Sequence, residues 1–320
     1  MGLSPQYDVN TQDVPARPLD RIVVGVDFTE VSLAAAQWVG RHLARDATLT
    51  LVHVIPPPPL PNVLQLRAAR MPDPESRLRT RLQSMRGALH GLAGVVGGTT
   101  TGVEVRVGDP AVQLPAYANM VDADLLVVGA NSVFHAAPRR ETATTDRLLR
   151  RLARPGLVAR NVQSAPKTVL VALADDAAAS VLDVARMVAA PSGARLVALR
   201  LADRGPAGDT TVSVKPRDAV ANDEQVRMIV DVTRELRADV IVIGSYTSAT
   251  NVDDDVAHLL AGTADCSVLV VPYRTVRRPR RRLHLDVLGH VQRSLAAGSQ
   301  PDDAGPPRPA ATVCGTDDAA

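Results

Sequence analysis

The segment Ala123-Asp124-Leu125-Leu126-Val127-Val128-Gly129 returns 115 residues later as Ala238-Asp239-Val240-Ile241-Val242-Ile243-Gly244. Each copy is a short, continuous apolar run, the pattern of a strand covered on both faces. Other pieces return as well. Ile22-Val23-Val24 is echoed by Val169-Leu170-Val171 at an offset of 147, Val103-Glu104-Val105 by Val212-Ser213-Val214 at 109, and Leu148-Leu149 by Leu259-Leu260 at 111. The order is kept while the spacing changes. The chain therefore reads as one domain written twice, the second copy about 38 residues shorter between its first and third strands. That is the stretch that holds a helix over 76–94 in the first copy. At 320 residues the chain is long enough to bury two such cores.

Within the first copy strands and helices alternate. Residues 21–26 (RIVVGV) form a strand, and Val31, Ala34, Ala35, Trp38 and Val39 fall at helical spacing, which predicts a helix over 30–44 with Thr29 as its N-cap. A strand over 48–54 is closed by PPPPLP at 56–61, which cannot continue a sheet ladder. Leu78, Leu82, Met85, Leu89 and Leu92 mark the helix over 76–94, and Val103, Val105 and Val107 alternate as a strand. GDPAVQL opens a further helix, 124–129 is the continuous apolar strand, and a helix over 144–153 and a strand over 156–160 follow. This alternation predicts a doubly wound, parallel α/β sheet, with ligands beyond the carboxyl ends of the strands where the strand order reverses.

Composition excludes several classes. A hydrophobic content of 46% argues against a disordered chain, and two cysteines cannot staple a secreted scaffold. No apolar run of about 18 residues is present. The first residues, MGLSPQYDVN, follow neither a signal-peptide nor a myristoylation pattern, so a cytoplasmic protein is expected. The formal net charge of +2 conceals an asymmetry. Arg274, Arg277, Arg278, Arg280, Arg281, Arg282 and Arg293 stand against Asp286 alone, a +6 arm on a nearly neutral body, followed by an acidic tip.

Taken in order, RIVVGVDFTEVSLAAAQWV, LTLVHV, VRVGDPAVQL, ADLLVVGA, DRLLRRLA and CSVLVVP resemble the universal stress protein family in its tandem two-domain form. The resemblance implies tandem doubly wound five-stranded parallel sheets of the adenine-nucleotide alpha-hydrolase-like type, the second copy truncated, with the two domains paired through their last strands. It also implies a stress-response or regulatory role and, in many members, ATP bound over the strand ends. The expected organisation is a flexible segment over 1–20, a first domain over 21–162, a second over 166–273 lacking one helix, and a basic arm with a disordered tail over 274–320.

Nucleotide-binding members carry Gly-x2-Gly-x9-Gly-Ser/Thr after the fourth strand, where glycines let the backbone approach phosphates and a helix start binds the anion. Here only Gly129 survives; Ser132, Thr142 and Ala143 occupy the other positions. A β-branched Thr142 suits a positive φ poorly. The remaining pocket positions are kept: Gly25 and Asp27 at the first strand, Val54 after His53 at the second, Val128 and Gly129 at the fourth, with Thr144 and Thr145 offering hydroxyls. Arg139 and Arg140 are either solvated loop charges or substitute anion contacts. The second copy has Ala174 in place of Asp27, with Asp175 beside it, Thr247 in place of a glycine, and Asp253-Asp254 where a phosphate would lie. Its carboxylates would repel a triphosphate, so nucleotide binding is expected in the first copy only, as ATP with Mg, or not at all.

No nucleophile elbow, Walker loop or paired-carboxylate pattern is present, so no catalytic residue is expected; weak ATP hydrolysis is the residual enzymatic reading. Asp254 and His258 lie four apart, more in keeping with a capped helix end than a metal site, and no metal is expected. Cys266 opens an apolar strand as an inert thiol, Cys314 lies in a polar tail, and His53 reads as a satisfied strand histidine. The competing function is a nucleotide-free interaction module acting through the arm, whose Leu283, Leu285, Val287, Leu288, Val291 and Leu295 follow clustered arginines. The partners expected are the two domains for each other, a second copy in a homodimer, an unidentified protein, and an anionic surface for the arm.

Overall fold

Alternate residues of a strand project to opposite faces of a sheet, and in this chain both faces are apolar. The computed structural model describes residues 7–8, 17–56, 74–97, 100–130, 144–173, 178–200, 219–245 and 256–273. All lie within residues 1–275, which form one compact unit; the basic arm is outside the described residues. In chain order the elements are β1 (Tyr7–Asp8), β2 (Arg21–Gly25), α1 (Glu30–His42), β3 (Thr48–Ile55), α2 (Pro74–Val96), β4 (Thr100–Val107), α3 (Pro110–Met120), β5 (Leu125–Gly129), α4 (Thr144–Leu149) and β6 (Gly156–Ala159). There follow β7 (Thr168–Leu173), α5 (Ala178–Ala189), a 3₁₀ turn (Ala190–Ser192), β8 (Arg195–Arg200), α6 (Ala219–Leu236), β9 (Val240–Ser245), α7 (Val256–Thr263) and β10 (Ser267–Pro272).

Ile22 and Val24 of β2, with Leu125 and Val127 of β5, pack under Ala35, Trp38 and Val39 of α1, while Val181, Ala185 and Val188 of α5 cover the second half on the same face. Val23, Leu126 and Val128 face the other way, with Leu114 of α3 and Leu148 and Leu149 of α4; Ile229 of α6 and Leu260 of α7 take that side of the second half. Thr29 caps α1 as its sequence position predicts, its hydroxyl accepting from Ser32 N at 3.3 Å. The helix expected over 144–153 ends earlier, at Leu149, where the chain tightens through Arg151 N to Leu148 O and Leu152 N to Leu149 O ahead of Pro155.

The strands form one ten-stranded sheet in the order β1-β8-β7-β9-β10-β6-β5-β2-β3-β4. The two halves thus share a single continuous sheet. The halves join where β6 and β10 run antiparallel, Leu157 opposite Leu269, so the strand directions of the second half are reversed relative to the first. Among the described residues the second half supplies four parallel strands. The expected strand at Val212-Ser213-Val214 lies outside them, and the outer edge of β8 is paired by β1, Tyr7 opposite Leu199 and Asp8 opposite Ala198, running antiparallel. An exposed edge invites association with other chains, and even a two-residue strand blunts it. Tyr7 and Asp8 are thus part of the sheet.

The repeat is physical as well as textual. Asp124 Oδ2 accepts from Asp20 N and Arg21 N at 2.8 and 3.0 Å, fixing the entry to β2. Its counterpart Asp239 accepts through Oδ2 from Lys167 N and Thr168 N at 2.7 and 3.0 Å, fixing the entry to β7. Two residues before each carboxylate the backbone turns left-handed, at Asp122 (φ 52°) and Arg237 (φ 49°).

Candidate functional site

In the first half β2 lies between β3 and β5, and the chain leaves β2 in one direction and β5 in the other. This is the point where a doubly wound sheet opens a crevice at its carboxyl edge. Gly25 ends β2 opposite Val52 of β3 and Val128 of β5. A Cβ on Gly25 would lie 2.8 Å from Leu114 Cδ1 and 3.3 Å from Val128 Cγ1, so the α3 leucine already covers that side. Val54 and Val128 are buried in the same apolar layer and form the floor of the edge rather than free contacts. Gly129 has a packing reason to lack a side chain. Its Cβ would come within 2.9 Å of Ser32 N and 3.0 Å of Ser32 Cα, where the first turn of α1 crosses the end of β5.

The turn from β2 into α1 carries the polar chemistry. Asp27 Oδ1 accepts from Thr29 Oγ1 at 2.6 Å and Thr29 N at 3.0 Å, while Asp27 N donates to Ser32 Oγ at 3.3 Å. Partial burial pushes the Asp27 carboxyl up, but the hydrogen bonds from this turn outweigh it and leave the group below its ordinary value of 3.8. A carboxylate held below its unfolded value stabilises the fold at neutral pH and loses that contribution as the pH falls through its folded value. Acid unfolding of Asp27→Asn should therefore show a weaker pH dependence below 3.8 than the parent; identical acid-unfolding curves would contradict the bonding described.

Sequence reasoning passed over Phe28 as a turn residue. Its φ is +63°, left-handed for a residue with a bulky side chain, and its ring packs against His53 with centroids 5.0 Å apart. His53 Nδ1 lies 2.7 Å from Val26 O; a carbonyl can only accept, so this nitrogen carries the proton. Its rarity was the available signal: the chain has two phenylalanines. On the far side, Asp109 caps α3 by accepting from Ala111 N at 3.0 Å, and its other oxygen pairs with Arg147 of α4. Thr144 is exposed and Thr145 buried at the start of α4. Gly25, Asp27, Val54, Val128 and Gly129 thus come together at three adjacent strand ends, with Thr144 and Thr145 on a helix tied to the start of α3. Ser132, Arg139, Arg140, Thr142 and Ala143 lie outside the described residues.

The family model of universal stress proteins matches residues 18–160. Over that segment, less than half of the chain, the sequence is similar to universal stress proteins. Among solved structures, a universal stress protein from Archaeoglobus fulgidus DSM 4304 aligns at 15% identity and a TM-score of 0.58, over 79% of this chain and 96% of that one. That likeness carries the fold across both halves. A universal stress protein in complex with cAMP aligns at 25% identity and a TM-score of 0.31, over 44% of this chain and 97% of that one. One from Lactobacillus plantarum aligns at 20% identity and a TM-score of 0.37, over 45% and 99% of the two chains. No curated protein matches the sequence.

Beyond the matched segment the corresponding strand ends are built differently. Gly244 stands where Gly129 does, yet the atoms a Cβ would meet there are the hydroxyl and ring carbons of Tyr273, not the backbone of a helix. Tyr273 follows β10, its N–H donating to Ser245 O at 3.1 Å, and its ring lies over the end of β9. Ala174, Asp175, Thr247, Asp253 and Asp254 lie outside the described residues, so the Asp254–His258 pair is not seen together; His258 is on α7. Burial pushes the Cys266 thiol up to about 12, which keeps it a neutral, unreactive group at physiological pH. No helix among the described residues is long and apolar enough to cross a membrane.

Proposed function

We propose that this protein is a regulatory protein of the universal stress type that binds one adenine nucleotide, ATP, at the carboxyl edge of its first half and does not transform it. The observation that carries this reading is the turn at Asp27. Thr29 holds one carboxylate oxygen through its amide and hydroxyl, and Ser32 lies against the same carboxyl, which fixes a charged acceptor at the switch point of the sheet. An acceptor there suits an amino or hydroxyl group of a nucleoside and would repel phosphate, so the nucleoside end belongs beside Asp27. The second half offers no such acceptor on the described residues, and Tyr273 covers the glycine of its strand end.

The chain should melt at a higher temperature in millimolar Mg-ATP. A ligand at about 100 times its Kd stabilises the fold by roughly 2.7 kcal/mol, which for a unit of this size raises Tm by about 5–10 °C. The rise should disappear in Asp27→Ala, read as the shift between ligand-free and ligand-bound samples of the same variant. An unchanged Tm in the parent contradicts the nucleotide reading.

A further inference from the structure

A cavity of about 320 Å³ opens beside the junction of the two halves, by the amino ends of β9 and β10 and the segment that leads out of β6; because the second half runs reversed, this is the same edge of the sheet that carries the carboxyl ends of β5 and β6. Its size falls within the range of small-molecule sites. Trp38 of α1 forms one wall and Val230 and Thr233 of α6 another. Because α1 belongs to the first half and α6 to the second, both halves contribute to it.

Its charges do not balance locally. Three guanidinium groups line it, those of Arg160, Arg234 and Arg237, against the carboxylates of Asp239 and Asp265. Both carboxylates are engaged. Asp265 Oδ2 accepts from Arg234 Nε at 3.2 Å and Nη2 at 2.9 Å, and Asp239 Oδ2 accepts from two backbone amides. Arg160 is half-buried and held only by carbonyl oxygens: Nη2 donates to Ala261 O at 3.0 Å and Nη1 to Ala264 O. These bonds fix the group without neutralising it and use two of its five N–H donors. The Arg237 guanidinium has no acceptor among the described residues. Arg237, exposed and left-handed in its backbone, lines the cavity. Asp265 lies near enough to favour the Arg160 charge but spends its hydrogen bonds on Arg234, so a half-buried guanidinium with unused N–H donors remains, and an oxyanion is the group that satisfies it.

We propose that this cavity binds a small oxyanion carried on an apolar body, an organic carboxylate or phosphate, through Arg160 and Arg237, with the body against Trp38 and Val230. The cavity lies along the same edge as Asp27 but shares no lining residue with that site, and it does not depend on whether a nucleotide binds there. An anion seated in it joins the segment after β6 to α6 and so ties the two halves together.

Trp38 is the only tryptophan of the chain, so its fluorescence reports on this cavity directly. The experiment titrates the full chain with benzoate, inorganic phosphate and the neutral benzamide, with the parent and Arg237→Ala compared. The expected result is saturable change with an anion, none with benzamide, and affinity about tenfold or more weaker in Arg237→Ala, the loss of a charge-assisted contact. Saturation by benzoate alone identifies an organic carboxylate, and equal saturation by phosphate makes the oxyanion itself the recognised group. Equal responses to benzoate and benzamide, unchanged affinity in Arg237→Ala, or no saturable response to either anion would overturn the proposal.

Discussion

Gly40→Ala should destabilise the protein by about 2 kcal/mol, although alanine is the better helix former. Two effects oppose each other. In the interior of α1 the exchange gains roughly 1 kcal/mol from backbone entropy. Gly40, however, is buried where α1 meets the end of α2, and the new Cβ would strike Val96 O, lie 2.7 Å from Val96 Cγ1 and 3.0 Å from Gly97 O. Two of these atoms are backbone, so no rotamer change relieves the contact, and overpacking of this kind costs about 1–3 kcal/mol or more. The clash should win. Denaturant unfolding of the variant should show a lower midpoint at unchanged slope, whereas a higher midpoint would mean that α1 and α2 do not meet at Gly40.

Asp124→Ala should cost about 3 kcal/mol. The carboxylate accepts from two backbone amides and from Arg17 Nη2 at 2.7 Å, and its side chain is only 9% exposed. Hydrogen bonds to a charged acceptor contribute about 1.5–3 kcal/mol each and are not strictly additive; the pair with the exposed Arg17 adds at most about 1 kcal/mol. Asp124→Asn keeps an acceptor for the amides and should lose roughly half as much. Asp239→Ala tests the same device in the second half, where Lys167 N and Thr168 N are the donors. Similar losses at both sites show that the repeat is one mechanical solution used twice. A negligible loss at either would mean that the strand entries are fixed by packing alone.

Much of the fold could be read in advance, for identifiable reasons. Strands such as β5 and β10 are buried on both faces, so their continuous apolar runs are visible without any long-range information. Thr29 caps α1 through a local bond, which a local sequence pattern can reveal. What escaped depends on contacts between distant residues. Tyr7–Asp8 is too short to show a periodicity, and its place on β8 is a matter of sheet edges. Nothing near Tyr273 in the sequence announces that its ring will lie on Gly244. The cavity beside Trp38 draws on four separate stretches, none of which is a motif.

The candidate site was legible to a different degree. The repeat and the family resemblance single out Gly25, Asp27, Val54, Val128 and Gly129, and the structure sets them on neighbouring strand ends. Their individual reasons differ from those that the sequence suggests. Gly129 is small because α1 passes over it, and Val54 and Val128 are core residues at the edge. Asp27 alone presents a charged group, and Thr29 and Ser32 hold it in place.

Calorimetric titration of the full chain with Mg-ATP tests the central claim most directly, because it counts sites as well as detecting them. The predicted result is one nucleotide per chain for the parent and none for Asp27→Ala. Two nucleotides per chain, or no heat of binding in the parent, would contradict it.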